Sequence, residues 1–318
     1  MTRIAVIGAG AMGGLYASKL QAVPDAEVCL VAAGERAERL RAEGLTINGQ
    51  RHDFPVVEPG AATEPAELVV VAVKYPALTG ALDQLAGQIG PGTIVISLLN
   101  GITSEAEIAA RFPEAHVLLS MTVEVDPVRH GSTINYTRLG RIDLGEARNP
   151  IPWSEPVRFV TNILSRAGLV WQVPEDMTRQ LWWKFLINVG VNQVTAVLGA
   201  PYAVVQRVDS PARALMLAAQ REVIAVAQEH GVDLGSSDLG SWLEVLARLG
   251  PGQYTSMAQD VLAGRPTEAD VFGGVMRRLG AEVGVPVPVN TVLHQLLTAR
   301  DQLLTAGDET VDSTPPGA

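Results

Sequence analysis

The sequence predicts an α/β amino-terminal domain built on a parallel sheet, joined to an all-α carboxyl-terminal domain. Three observations carry this. Short β-branched runs alternate with helical stretches as far as Val173. The tract Pro174-Glu175-Asp176 marks a boundary, beyond which strand signals almost vanish. A glycine-rich turn separates the first strand from the first helix. The expected domains are residues 1–174 and 175–304. A polar tail, 305–318, has the composition of a disordered segment.

Arg3 to Ile7 is a β-branched run fit for a buried strand. It runs into Gly8-Ala9-Gly10-Ala11-Met12-Gly13 and then a helix to about Ala22. This is G-x-G-x-x-G between strand and helix, where a dinucleotide's pyrophosphate binds. Gly8 makes the tight turn, Gly10 lets the phosphates approach the backbone, and Gly13 lets helix and strand pack closely. The helix N-terminus meets the negative charge. Alone the motif is weak; here a second strand, Glu27 to Ala32, follows at the right distance and supports a Rossmann-type domain.

The end of that second strand selects the cofactor. An acid there holds a ribose 2′-hydroxyl, and an arginine accommodates a 2′-phosphate. The sequence reads Val31-Ala32-Ala33-Gly34-Glu35-Arg36, with no acid at the tip itself. Arg36 is close enough to reach a phosphate, and Glu35 to reach a ribose. The balance favours NADP, with NAD left open. Leu68 to Lys74 has the continuous apolar character of a central parallel strand and ends in Lys74-Tyr75-Pro76, with a helix to about Ile89. Thr93 to Leu99 is the next strand, ending in Asn100-Gly101. Ligands of open α/β sheets sit beyond the carboxyl ends of the strands, so Lys74 and Asn100 are candidates for the same crevice as the glycine turn. Val117 to Val125 is a further strand, and Gly131 to Leu144 reads as antiparallel hairpin material. Glu155 to Ala167 is helical, and Leu169 to Val173 is the last strand.

The second domain opens on LWWKFLINVGVNQVTAVLGA, Leu181 to Ala200, a helix with no charged side chain from Phe185 to Gln206. Lys184, Asn188 and Asn192 recur every four residues, so they share one helical face. A buried amide or ammonium without a partner costs roughly 1–3 kcal/mol or more. A polar substrate would satisfy this stripe. So would a snorkelling lysine and asparagines bonded to neighbouring helices. Asn188, Asn192, Gln193 and Pro201 argue against a membrane span. Helices are expected at Pro211 to His230, Asp238 to Leu249, Thr255 to Leu262, Thr267 to Val283 and Asn290 to Leu304, with Thr267 as an N-cap. Ser256 and Glu268 flank Gly264-Arg265-Pro266, and on spacing alone Glu268 equally suits a first helical turn.

Composition narrows the function. Of the 318 residues 47% are hydrophobic, and the formal net charge is −10, which sets nucleic acid and anionic membranes aside as partners. A single cysteine, Cys29, allows no internal disulfide and favours the cytoplasm. The opening MTRIAVIGAGAMGG lacks the pattern of a signal peptide. No Cys/His cluster has metal-ligand spacing. The apolar helical domain suits either a homodimer interface or a core.

The GAGAMG turn, the Lys74 and Asn100-Gly101 strand ends, the LWWKFLINVGVNQVTA tract and SMAQDVLAGRPTEAD together resemble the ketopantoate reductase family over nearly the whole chain. The resemblance implies a Rossmann domain and a helical substrate domain with the active site between them. It implies reduction of 2-dehydropantoate to (R)-pantoate by NADPH, towards pantothenate and coenzyme A. It makes Lys184 the catalytic lysine, a general acid for the developing alkoxide. Glu268 becomes the acid that orients lysine and substrate. Asn188, Asn192 and Ser256 become holders of the substrate's hydroxyl and carboxylate, with Asn100 and Lys74 near the nicotinamide. One departure concerns the cofactor: Ala33 stands where many NADP-using members of the family carry an arginine. A reductase of another 2-oxo acid, and a nicotinamide-binding sensor without turnover, are the competing readings; a sensor has no need of Lys184.

Overall fold

The structure, a computed structural model, describes residues 1–61 and 64–310. The chain divides into two compact units between Leu181 and Trp182. The division falls inside a helix that begins at Met177. The part of that helix within the amino-terminal unit, with Met177 and Leu181, packs with Met121 of the same unit.

In the amino-terminal unit β1 (Thr2–Ile7) leads through the glycine turn into α1 (Ala11–Gln21) and β2 (Ala26–Val31). Then come α2 (Gly34–Glu43) and three short strands, β3 (Leu45–Ile47), β4 (Gln50–His52) and β5 (Val56–Val57). β6 (Leu68–Val71), α3 (Leu78–Gln84), β7 (Ile94–Ser97), α4 (Ser104–Arg111) and β8 (His116–Val123) continue the alternation. β9 (Val128–His130), β10 (Thr133–Asn135), β11 (Arg141–Gly145), α5 (Glu155–Arg166) and β12 (Val170–Gln172) complete the unit. The main sheet has eight strands in the order β12-β11-β8-β7-β6-β1-β2-β5, and a second has four, β4-β3-β10-β9. Strands β5, β2, β1, β6, β7 and β8 run parallel, in the order of a dinucleotide-binding fold, with the switch point between β1 and β6.

Period-two alternation sorts the core. Ile4, Val6, Leu68 and Val70 face one side of the sheet with Leu15 and Leu20 of α1 and Val160 and Ile163 of α5. Ala5, Ile7, Val69 and Val71 face the other with Leu78 and Leu82 of α3 and Ile108 of α4. Both faces are covered, which is why β6 is continuously apolar.

Some boundaries differ from expectation. The hairpin expected at Gly131 to Leu144 is divided between two sheets. β9 and β10 form an antiparallel pair, whereas β11 turns away to pair with β8. The strand expected to reach Lys74 ends at Val71, because Lys74 already leads into a 3-10 turn, Tyr75–Ala77.

In the carboxyl-terminal unit the described residues form helices joined by turns and loops, with no strand. The helix α6 (Met177–Leu198) is followed by α7 (Ala203–Gln206), α8 (Pro211–Glu229), α9 (Ser236–Arg248) and α10 (Ser256–Leu262). A π-helical turn, Asp270–Gly274, runs into α11 (Val275–Val283), and α12 spans Pro288–Thr310. The helix thus continues through 305–310 of the segment expected to be a tail; 311–318 lie outside the described residues. Thr267 does not cap the following helix. Its amide and its hydroxyl both donate to Asp301 Oδ2 (2.8 and 2.6 Å), and the π-helical turn begins three residues later. Among the described residues no helix is long and apolar enough to cross a membrane, and no cluster of potential metal ligands forms.

Cys29 lies on β2, where burial pushes its thiol up to about 11, with Glu27 adding to the rise and Arg3 opposing it. Little thiolate is present near neutrality. Native protein should therefore react with iodoacetamide at pH 8 at least ~10-fold more slowly than the urea-unfolded chain, followed by mass spectrometry. Equal rates would contradict the burial of this strand.

Candidate active site

The parallel strands end level with one another. Ile7 is opposite Val31 on one side and Val71 on the other, and Val71 is opposite Ser97. Gly10, Lys74 and Asn100 each stand three residues beyond one of these strand ends. The register therefore brings the sequence-predicted glycine turn, Lys74 and Asn100 to one rim of the sheet. Lys74 is exposed and Asn100 partly buried, and each interacts with other groups of the protein.

Each glycine of the turn has its own cause. Gly8 has φ +93°, and a Cβ there would lie 2.5 Å from the Ala72 carbonyl oxygen. A Cβ on Gly13 would lie 2.2 Å from the Gly8 carbonyl oxygen. Both are demanded by packing within the protein. Gly10 is different: a Cβ there would meet nothing closer than the Gly8 carbonyl oxygen at 3.8 Å. Its backbone is left bare with no internal reason, which fits close approach of a ligand phosphate. Gly10 is also the N-cap of α1; no side chain caps the helix, and its first turn carries no acid. Ala11 and Met12, partly buried, begin that helix, while Ala9 is buried beneath the turn. These residues suit a dinucleotide's pyrophosphate.

Beyond β2, Ala32 is buried and Ala33 is the N-cap of α2. Glu35 and Arg36 are exposed on the first turn of that helix. One cation escaped the sequence reading. Arg129, on β9, donates from Nη1 to the Ala9 carbonyl oxygen and from Nε to the Gly131 carbonyl oxygen (2.7 Å).

In the carboxyl-terminal unit α6 places Lys184, Asn188 and Asn192 along one face. The first two are partly buried, and Asn192 is only 6% exposed. Lys184 and Glu268 both interact with other groups of the protein. The side-chain amides of Asn188 and Asn192 form no hydrogen bond among the described residues. Their neighbours are treated otherwise. Gln193 Nε2 donates to the Val189 carbonyl and to Asn290 Oδ1 (2.8 and 2.9 Å). Thr195 donates to the Val191 carbonyl and shares a 2.8 Å bond with the Thr255 hydroxyl.

That last bond positions Ser256. Thr255 caps α10 by accepting from the Ala258 amide, and Ser256 is exposed as the first residue of the helix. Thr195 lies one turn beyond Asn192 on the same face, so the polar stripe leads to the α10 N-terminus. Thr195 and Thr255 were missed in the sequence, because residue 195 falls one short of the stripe's four-residue step, although i+3 still lies on the same side of the helix. Glu268 is partly buried, just ahead of the π-helical turn. That turn packs on α6 through Phe272 against Phe185, with ring centroids 6.4 Å apart, and Phe185 is next to Lys184. Gly273 lies close under Gln193, since a Cβ there would be 2.5 Å from Oε1. Arg300 holds the preceding loop by donating to the Val261 and Arg265 carbonyls (both 2.9 Å). Ser256 thus follows a residue bonded to α6, and Glu268 precedes a turn that packs on it.

Comparison with known proteins gives the chain's family. The family model described as ketopantoate reductase PanE/ApbA matches residues 4–149, and its C-terminal counterpart matches residues 176–301. A 2-dehydropantoate 2-reductase from Mesorhizobium japonicum is 29% identical, with 90% of this chain and 94% of the relative covered. A PanE/ApbA family ketopantoate reductase from Ralstonia eutropha has a similar solved structure, with TM-score 0.80, 25% identity, and 96% and 100% of the two chains covered. A D-mandelate dehydrogenase solved with NADH and anilino(oxo)acetate shares the fold, with TM-score 0.84, 23% identity, and 96% and 100% covered.

The glycines should separate in mutagenesis. Gly13→Ala drives a methyl into the backbone and should cost about 1–3 kcal/mol in urea unfolding. Gly10→Ala should stay within about 1 kcal/mol of the parent, yet weaken dinucleotide binding measured by calorimetry. Unchanged binding by Gly10→Ala would remove the phosphate role from this turn.

Proposed function

Because the chain belongs to the ketopantoate reductase family, we propose that it is a nicotinamide-dependent oxidoreductase that reduces 2-dehydropantoate to (R)-pantoate with NADPH, a cytoplasmic step towards pantothenate and coenzyme A. The observation that carries this reading is the α6 stripe. Two asparagine amides stand in line with a lysine on one helical face and make no hydrogen bond among the described residues, yet their polar atoms are not sealed from solvent and so stay open to a ligand. A substrate bearing a carboxylate, a carbonyl and a hydroxyl would engage them in place of water.

The glycine turn would hold the pyrophosphate, and Arg36, Lys74 and Asn100 would bind further along the same rim. When bound, the reduced nicotinamide supplies a hydride to the carbonyl carbon. The electron pair of the C=O π bond moves to oxygen, and negative charge develops there. The Lys184 ammonium hydrogen-bonds that oxygen, stabilises the charge and delivers the proton that completes the hydroxyl. Glu268 accepts from the ammonium and orients it. Asn188, Asn192 and Ser256 hold the carboxylate and hydroxyl of the substrate and so choose which face of the ketone is presented.

Oxidation of NADPH and NADH should be followed with 2-dehydropantoate and with smaller and bulkier 2-oxo acids. The expected result is fastest turnover with 2-dehydropantoate and NADPH; faster turnover of another oxo acid would reassign the substrate. Lys184→Ala should lower kcat by about 10²–10⁴-fold while the cofactor Kd is unchanged. A loss confined to cofactor affinity would remove the lysine from the chemistry. Asn192→Leu should raise KM for the oxo acid about 10-fold or more without loss of stability to urea, since it deletes an amide that the protein itself leaves unsatisfied. A destabilised variant with normal KM would make Asn192 a structural residue.

A further inference from the structure

The tip of β2 lacks the side chain that a 2′-phosphate needs, and the small sheet brings another cation to that place. β9 and β10 form a hairpin whose second strand pairs with β3, immediately after α2. The same hairpin is seated on α1: a Cβ on Gly14 would lie 2.5 Å from Ile134 Cδ1 and 3.0 Å from Leu45 Cδ1. Arg129 is therefore delivered between the glycine turn and α2. It is tied to the turn through the Ala9 carbonyl and to its own hairpin through the Gly131 carbonyl. Its remaining N–H groups have no hydrogen-bond partner among the described residues. Across from it stand Arg36 and Arg39 of α2. Both are exposed, and neither has an ion pair among the described residues. Arg41 of the same helix is committed elsewhere, to Glu58 at 2.7 Å. Burial and then the charges of Arg36 and Arg39 push the Arg129 guanidinium below its ordinary value, with only Glu43 opposing.

We propose that Arg129, with Arg36 facing it, holds the 2′-phosphate of the dinucleotide in place of the arginine that is missing at position 33. The inference rests on the NADPH reading and names the residue that would decide it. The glycine turn accounts for the pyrophosphate, and the ribose of a dinucleotide lies beyond the end of β2. Arg129 bridges those two places. A guanidinium already held by two backbone carbonyls is pre-organised, so little side-chain entropy is lost on binding. A 2′-phosphate brings negative charge into a group of mutually repelling cations. A 2′-hydroxyl leaves that repulsion in place, so the arrangement discriminates between the two cofactors.

Isothermal titration of the full-length protein with adenosine 2′,5′-bisphosphate and with adenosine 5′-monophosphate tests this without turnover. The parent should prefer the bisphosphate by about 10-fold or more. Arg129→Met should abolish most of that preference while 5′-monophosphate affinity and Tm stay close to the parent's. Arg129→Lys should keep part of it. Retention of the full preference by Arg129→Met overturns the inference and leaves the NADPH reading standing. Equal weakening of both ligands also overturns it, by making Arg129 a prop for the turn. A parent with no preference between the two ligands defeats both the NADPH reading and the inference.

Discussion

The approach of the glycine turn to the backbone of its neighbouring strand is the contact on which the amino-terminal unit depends. Gly8 lies against the Ala72 carbonyl, and Gly13 against the Gly8 carbonyl, at separations that exclude any Cβ. This closeness sets where α1 begins and how it lies on the sheet. Because Ile7, Val71 and Ser97 are in register, it also sets how far Lys74 and Asn100 stand beyond the sheet relative to the turn. A methyl group at either glycine would disturb the turn and, through the sheet, the rim that it shares with the neighbouring strand ends.

The carboxyl-terminal unit solves a different problem. Its α6 helix is apolar on most sides and carries polar groups that fall into two sets. Gln193 and Thr195 are spent on the fold, bonding Asn290 and Thr255. Asn290 is itself fixed, since its amide and side chain donate to Glu222 at 3.0 and 2.7 Å. Asn188 and Asn192 are withheld from the fold. Amides that make no bond within the fold are left available to a ligand, whereas the Gln193 amide nitrogen is committed to the helix packing. The π-helical turn after Glu268, packed on α6 through Phe272, is a further departure from regular structure at the same place.

Charge is distributed unevenly in a way the net value hides. A chain of formal charge −10 holds a local group of arginines, Arg36, Arg39 and Arg129, beside the glycine turn. An acidic surface discourages nonspecific binding of polyanions, while this group supplies the local field that a phosphate needs. The two properties are compatible because one is an average over the molecule and the other acts across a few ångströms.

What the sequence determined by itself was whatever depends on local spacing. Alternation of β-branched residues placed the strands, G-x-G-x-x-G placed the turn, and a four-residue repeat placed Lys184, Asn188 and Asn192 on one face, because strand pleat and helix pitch are properties of short stretches of chain. The short strands β3, β4 and β5 were missed, since two or three residues show no period. The tertiary structure decided what depends on distant partners. Thr267 looked like an N-cap and is instead bound to Asp301, 34 residues away. Arg129 meets Ala9 across 120 residues, from a strand, β9, that lies ahead of the stretch Gly131 to Leu144 expected to form the hairpin. Periodicity says which way a side chain points along its own element. Which group it then meets depends on how the sheets close over one another, and that is set by the packing of the whole unit.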